Sequence, residues 1–148
     1  AMRRVIAPCM ERAQQLGSPA AAMELEDGQL VTGKTSALLG ASAALLLNAI
    51  KVLGNIHHDV HLIAPSALKI QYMGSKNPRL HTDEVLIALS MSAATDDTAR
   101  KALSQLPKLR GCQVHTSVML SDVDIKVFKK LGVELTSEPV YEHKKLYH

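Results

Sequence analysis

Thr32 to Gly54 reads TGKTSALLGASAALLLNAIKVLG, a glycine-lysine-threonine turn leading into a stretch that is apolar on nearly every side. A helix apolar all round has to be buried, so a chain containing one must supply layers to cover it. Proline is absent, Thr35 or Ser36 offers a capping hydroxyl, and Gly54-Asn55 supplies a left-handed stop. The sequence therefore predicts a central helix running from the Gly-Lys-Thr-Ser turn to Gly54. Gly40, Ser42 and Asn48 interrupt the apolar run and Lys51 closes it, which leaves it short of the ~20 residues of a bilayer span. Its small residues, Gly40, Ala41, Ala43 and Ala44, let a backbone approach a sheet closely, so the expected position is between layers.

The chain's 148 residues make one domain's worth, enough to bury roughly two-thirds of the unfolded surface. With 47% hydrophobic residues and only 3% aromatic ones, the core has to be aliphatic, as in α/β proteins. A formal charge of +3, with Lys and Arg scattered and few aromatics for stacking, argues against nucleic acid as a partner. Cys9 and Cys112 have no paired spacing and the opening residues carry no secretory pattern, so reduced thiols in a cytoplasmic protein are expected. No membrane partner is expected.

Taken in order, residues 4–16 place Val5, Ile6, Cys9, Met10, Ala13 and Leu16 on one helical face, ended by Gly17-Ser18-Pro19. This first helix is the expected place for an exposed apolar surface. Residues 22–26 and 29–32 flank Asp27-Gly28, the two-residue signature of a hairpin. Residues 59–64 alternate as a third strand before Pro65, and residues 66–73 make a short helix. Thr82 caps a helix to Ala94, a second piece runs from Asp97 to Leu106, and Cys112 to Leu120 is a β-branched strand. Ser121 caps the helix Asp122 to Leu131, Gly132 stops it, and residues 133–136 form the last strand. The expected fold is α/β: a three-layer α/β/α sandwich with a mixed sheet, an N-terminal antiparallel hairpin and then parallel α-β units. The single domain spans residues 1–136, with 137–148 a charged arm. A helix, a hairpin and then α-β repeats resembles the cytidine-deaminase-like arrangement, which would place zinc ligands at the starts of the second and third helices. Those positions hold Gly-Lys-Thr-Ser and Pro-Arg-Leu-His-Thr-Asp-Glu instead, so the expected topology has no zinc site.

Gly28 to Thr35 formally satisfies the phosphate-loop pattern of two glycines, Lys and Thr. A phosphate loop follows a strand and is made of bendable residues, whereas here Asp27-Gly28 is a turn and Gln29 to Thr32 a strand. Nucleotide binding through that motif is thus the remote alternative, and what survives is a helix opening at Lys34, Thr35 and Ser36 able to hold one anion. His57-His58-Asp59-Val60-His61 reads as a solvated loop, so no metal site is named and no cofactor either. Asn77 to Glu84 combines a guanidinium, an imidazole and two carboxylates at a helix start. Asn77 and Arg79 are candidate ligand-binding residues, and His81, Asp83 and Glu84 candidate catalytic ones. The plainer reading has Asp83 and Glu84 capping the helix with Arg79 paired to one of them. His115 and Ser117 share one strand face, and His115 reads as a polar pocket wall or a packing residue.

The strings VTGKTSALLGASAALLLNAIK, NPRLHTDEVLIALSMSAAT, LPKLRGCQVHTSVMLS and LGVELTSEPVYEHKKLYH, together, resemble the C-terminal region of the bacterial family called domain of unknown function 1846. The likeness spans about Glu24 to His148. It implies that the chain is the end of a longer cytoplasmic protein, with an upstream domain as its partner. It implies no established activity and carries over no catalytic residue. Some members bear an ATP-dependent peptidase label, but no metalloprotease His-Glu-x-x-His occurs in this chain.

Two functions stand open on these residues. One is an α/β domain that binds an anionic small metabolite at helix N-termini, with or without catalysis, where Lys34 and Arg79 converge in one crevice. The other is a structural module that oligomerises the longer protein, so that a homo-oligomer is expected.

Overall fold

The computed structural model describes residues 3–64 and 79–138. Helix α1 (Ile6–Leu16) leads into the hairpin of β1 (Ala20–Glu24) and β2 (Leu30–Lys34), followed by α2 (Ala41–Leu53). Then come α3 (Thr82–Ala93), α4 (Asp97–Leu103), a 3-10 turn (Leu106–Leu109), β3 (Gln113–Thr116), α5 (Asp122–Leu131) and β4 (Glu134–Ser137). The sheet has the order β2-β1-β3-β4, with β1 antiparallel to both neighbours and β3 parallel to β4. The mixed α/β sheet with helices on both faces is as expected. The expected run of parallel units reduces, among the described residues, to the single pair β3 and β4 joined through α5.

The register explains the layers. Ala21, Met23, Gly33, Val31 and Val114 share the face that meets α2 and the main core. Ala22 turns to the other face, where Val5, Cys9 and Met10 of α1 cover it. Farther out, that second face is polar: Arg3 donates to Gln113 Oε1 at 3.2 Å, to the Glu134 carbonyl at 2.5 Å and to Thr136 Oγ1. Within α1 only Cys9 is buried, but the exposed positions are mostly polar or small, and Leu16 is its one large hydrophobic side chain left open. The largest exposed hydrophobics are instead Ile87 (55% exposed) and Met91 (68%), one turn apart on α3.

Four expectations need correcting. Residues 59–64 form turns and bends rather than a strand. Adjacent Leu62 and Ile63 are both buried, which breaks the period of two, and the segment packs beside Leu47 and Lys51 of α2 and pairs with no strand of the sheet. The hairpin loop has three residues, because Leu25 N–H bonds the Gln29 carbonyl (2.8 Å) and Gly28 N–H the Leu25 carbonyl (2.9 Å). Gly28 takes the positive φ of 89° that such a loop requires. Thr82 is the first residue inside α3, and His81 is its N-cap. Most consequential, the central helix begins at Ala41. Lys34 and Gly33 pair with Ala20 and Ala21, so β2 runs on through the motif and the helix opening does not lie at Gly33 to Ser36. The helix expected over residues 66–73 lies outside the described residues.

Gly33 then acquires a packing role. A Cβ there would stand 2.5 Å from the Ala41 carbonyl oxygen and 2.6 Å from Leu45 Cα, and closer still to Leu45 N. Only hydrogen at Gly33 permits α2 to lie this close to β2. Asn48 Nδ2 donates to the Thr32 carbonyl at 3.0 Å, which accounts for the one amide in the apolar helix: it ties α2 to the strand below.

Cys9 is fully buried under α1, its thiol 3.4 Å from the Ala20 carbonyl. Burial, with the Glu138 carboxylate adding to it, pushes this thiol from 9.0 up to about 12, and burial raises Cys112 as well. We expect a disulfide reagent at pH 8 to leave both native cysteines unmodified and to titrate both after denaturation. Because the folded value stands above the unfolded one, the stability linked to Cys9 is complete below pH 9 and declines as pH rises toward 12. Between pH 9 and 11 the urea midpoint of the wild type should therefore fall further than that of Cys9→Ala, and parallel declines would refute the assignment.

Candidate functional site

The edge of the sheet where β3 ends, β2 ends and β1 begins is also where α2, α3 and α5 begin. A cavity of about 340 Å³ lies there, in the place ligands occupy in open α/β sheets. Its wall is built by a local zipper. A turn at Ser36 to Leu39, closed by Ser36 Oγ accepting from Leu39 N–H (3.1 Å), carries the chain from β2 to α2. Leu80 N–H then bonds the Leu38 carbonyl (2.8 Å), Gly40 N–H bonds the Leu80 carbonyl (3.1 Å), and Arg79 Nε bonds the Ser36 carbonyl (2.8 Å). Arg79 and His81 are thereby fixed beside the first turn of α2.

The three helix starts differ in how their N–H groups are satisfied. At α5, Ser121 Oγ accepts from Asp124 N–H at 3.3 Å. At α3, Glu84 Oε1 accepts from His81 N–H at 2.9 Å, and Asp124 reaches across from α5 to take Thr82 N–H at 2.9 Å and the Thr82 hydroxyl at 2.5 Å. The other oxygen of Asp124 lies 3.2 Å from His81 Nδ1. Each of these helices therefore has a first-turn N–H, of Thr82 or Asp124, held by a side-chain oxygen of this chain. At α2 the cap is Gly40, which has no side chain to offer, and among the described residues the N–H groups of Ala41, Ser42 and Ala43 meet no acceptor. Ser42 is 5% exposed, lines the cavity and has no side-chain hydrogen-bond partner among the described residues. Buried groups of this kind are normally paired, and a helix start with open N–H groups attracts an anion.

Of the residues singled out by sequence, Thr35, Arg79 and His81 line this cavity. Thr35 spends its hydroxyl on the Pro19 carbonyl (2.8 Å), and Ser36 stands behind Arg79 as its carbonyl partner. Lys34 is exposed at the end of β2 and is not part of the lining; neither are Asp83 and Glu84, and Glu84 serves as a cap. Asn77 lies outside the described residues. His115 is buried on the α1 side of the sheet, 2.7 Å from both Thr136 Oγ1 and Glu138 Oε2, where it ties β3 to the chain after β4. Sequence reasoning missed Ser42 and Asp124 as site residues. The Ser-Asp-Val-Asp run at 121–124 does signal a helix cap, but nothing local says that its last carboxylate serves a second helix.

Among the described residues one group of three metal-type ligands occurs: His57, His58 and Asp59, whose ligand atoms lie within 4.8 Å of one another on an exposed turn. One of those atoms is committed already, since His57 Nδ1 accepts from Asp59 N–H at 3.2 Å. Among the described residues no helix is long and apolar enough to cross a membrane.

Comparison with known proteins adds the kinship. The family model described as "Domain of unknown function DUF1846, C-terminal" matches residues 1–147. The chain belongs to this family. It is 55% identical to a UPF0371 protein of Corynebacterium glutamicum (strain R), over 98% of this chain and 30% of that protein. A UPF0371 protein of Streptococcus uberis is 46% identical, over 98% of this chain and 31% of its own length. The chain thus spans about a third of the length of the curated relatives it matches.

Proposed function

We infer that this DUF1846 C-terminal domain binds a small anionic metabolite at the open start of α2, with Ser42 inside the site and Arg79 and His81 beside it. The observation that carries the reading is the contrast among three converging helices: two have a first-turn N–H, of Thr82 or Asp124, taken by a side-chain oxygen of this chain, whereas at the third, among the described residues, the N–H groups of Ala41, Ser42 and Ala43 and the Ser42 hydroxyl are all unmet. Arg79 adds a guanidinium suited to oxyanions. Of the catalytic candidates only His81 lines the cavity, and its contact with Asp124 suits it to carry a proton if the bound molecule reacts. The cytidine-deaminase-like topology belongs to the same reading, supported by the opening helix, the antiparallel hairpin and the later strand-helix-strand unit. A cytoplasmic setting fits two buried free thiols. Titrating phosphate, sulfate and acetate while following the Ala41, Ser42 and Ala43 amides by NMR tests the site: shifts concentrated on these amides are expected, weakened about tenfold in Ser42→Ala. If none of the three anions moves them, the reading fails.

The oligomerisation module remains the second reading because Ile87 and Met91 stand exposed on one face of α3. Light scattering on the wild type and on Met91→Glu separates the two, since a dimer that the charge dissociates would favour the module.

A further inference from the structure

We propose that the anion held at the start of α2 is the phosphate of an organic phosphate monoester, with the organic group lying along the wall formed by Pro19, Val118 and Met119. This rests on the anion-site reading above and narrows it in two ways, by the number of donors and by the shape of the cavity.

The donors come first. Ala41, Ser42 and Ala43 N–H groups and the Ser42 hydroxyl are four donors unmet by acceptors of the described residues, and Arg79 and His81 flank them in the same lining. A carboxylate has two oxygens, both in one plane, whereas a phosphate monoester presents three strong acceptor oxygens arranged tetrahedrally and a charge of about −1.5 to −2 at neutral pH. Several donors at one helix start, with an imidazole and a guanidinium in the same lining, suit the tetrahedral group. Ser42 is the independent indication. Ser42 is more than nine-tenths buried as a residue, yet its hydroxyl is reachable from the cavity it lines and has no partner among the described residues, which suits a group whose partner is a ligand.

Shape comes second. At about 340 Å³ the cavity lies within the roughly 300–1,000 Å³ range of organic ligand sites and holds about ten water volumes. A bare tetrahedral anion would leave most of it empty. The donors are gathered at the α2 end, while Pro19, Val118 and Met119 line the cavity from the segments flanking β1 and β3. Met119, 47% exposed, is an adaptable apolar surface suited to a ring or chain.

Phenyl phosphate, benzoate and inorganic phosphate, titrated by calorimetry into the full-length protein, test the proposal. We expect phenyl phosphate to bind at least tenfold more tightly than either of the others. Ser42→Ala should weaken phenyl phosphate and inorganic phosphate alike, whereas Met119→Ala should narrow the gap between them and leave inorganic phosphate unchanged. Benzoate binding as well as phenyl phosphate would overturn the phosphate assignment while leaving an anion site, and equal affinity for phenyl and inorganic phosphate would overturn the organic part. Binding by none of the three removes the anion site itself and this proposal with it. Because Ser42 and Met119 are replaced by a good helix former and at an exposed position respectively, circular dichroism is expected to show both variants folded.

Discussion

Gly33→Ala should cost this domain about 3 kcal/mol or more, the top of the range for overpacking a core, and lower its melting temperature by roughly 10 °C. The methyl group would meet backbone, the Ala41 carbonyl oxygen, Leu45 Cα and Leu45 N, and backbone within a helix cannot rotate away as a side chain can. Relief requires sliding α2 off β2, which would disturb Leu45, Leu46 and Ile50, all fully buried, and displace the open first turn that starts at Ala41. Gly33 does not lie at positive φ, so the loss is one of packing, opposed only by the modest gain from stiffening the unfolded chain. Lys34→Ala, one residue on and exposed, should change stability by no more than about 0.5 kcal/mol. Thermal denaturation of the two variants decides between packing and phosphate-loop roles for the Gly-Lys pair. A stable Gly33→Ala protein, or an ATPase activity lost in Lys34→Ala, would overturn the packing account.

Asp124→Ala is expected to be the next most damaging change, at about 3 kcal/mol, because it strands donors in a place with little water. Thr82 N–H and the Thr82 hydroxyl lose their acceptor together and His81 Nδ1 loses its contact, and Thr82 is fully buried. The first turn of α3 loses the carboxylate that stands at its positive end. Asp124→Asn preserves the shape and one acceptor for Thr82, so about 1 kcal/mol is expected. Its amide would face His81 Nδ1 as a donor, which favours the tautomer with the proton on Nε2. Imidazole nitrogen NMR of the wild type and the Asn variant reads that tautomer directly, and chemical denaturation reads the stability. An alanine variant as stable as the wild type would mean that Asp124 bridges nothing of consequence.

Much of this architecture is written locally in the chain. The helix Asp122–Leu131 follows from Ser121 at its cap and Gly132 at its end, and α1 ends where Gly17 takes the left-handed conformation. The hairpin follows from Asp27-Gly28, and the buried central helix from its unbroken apolar run. Arg79, His81 and Thr35 stand out as polar residues next to element ends, and all three line the cavity. Three things depended on partners distant in sequence. Strand β2 continues through Gly33-Lys34 because β1 is there to pair with it, and no local preference could move the helix start from Thr35 to Ala41. Residues 59–64 alternate like a strand, yet they lie against α2, and a strand is only a strand where an edge is available. Asp124 looks like a cap of its own helix and serves the next one. The openness of α2 among the described residues is of the same kind: caps and periods are local properties that a sequence displays, whereas an unmet N–H group is defined by everything that fails to reach it, which only tertiary packing decides.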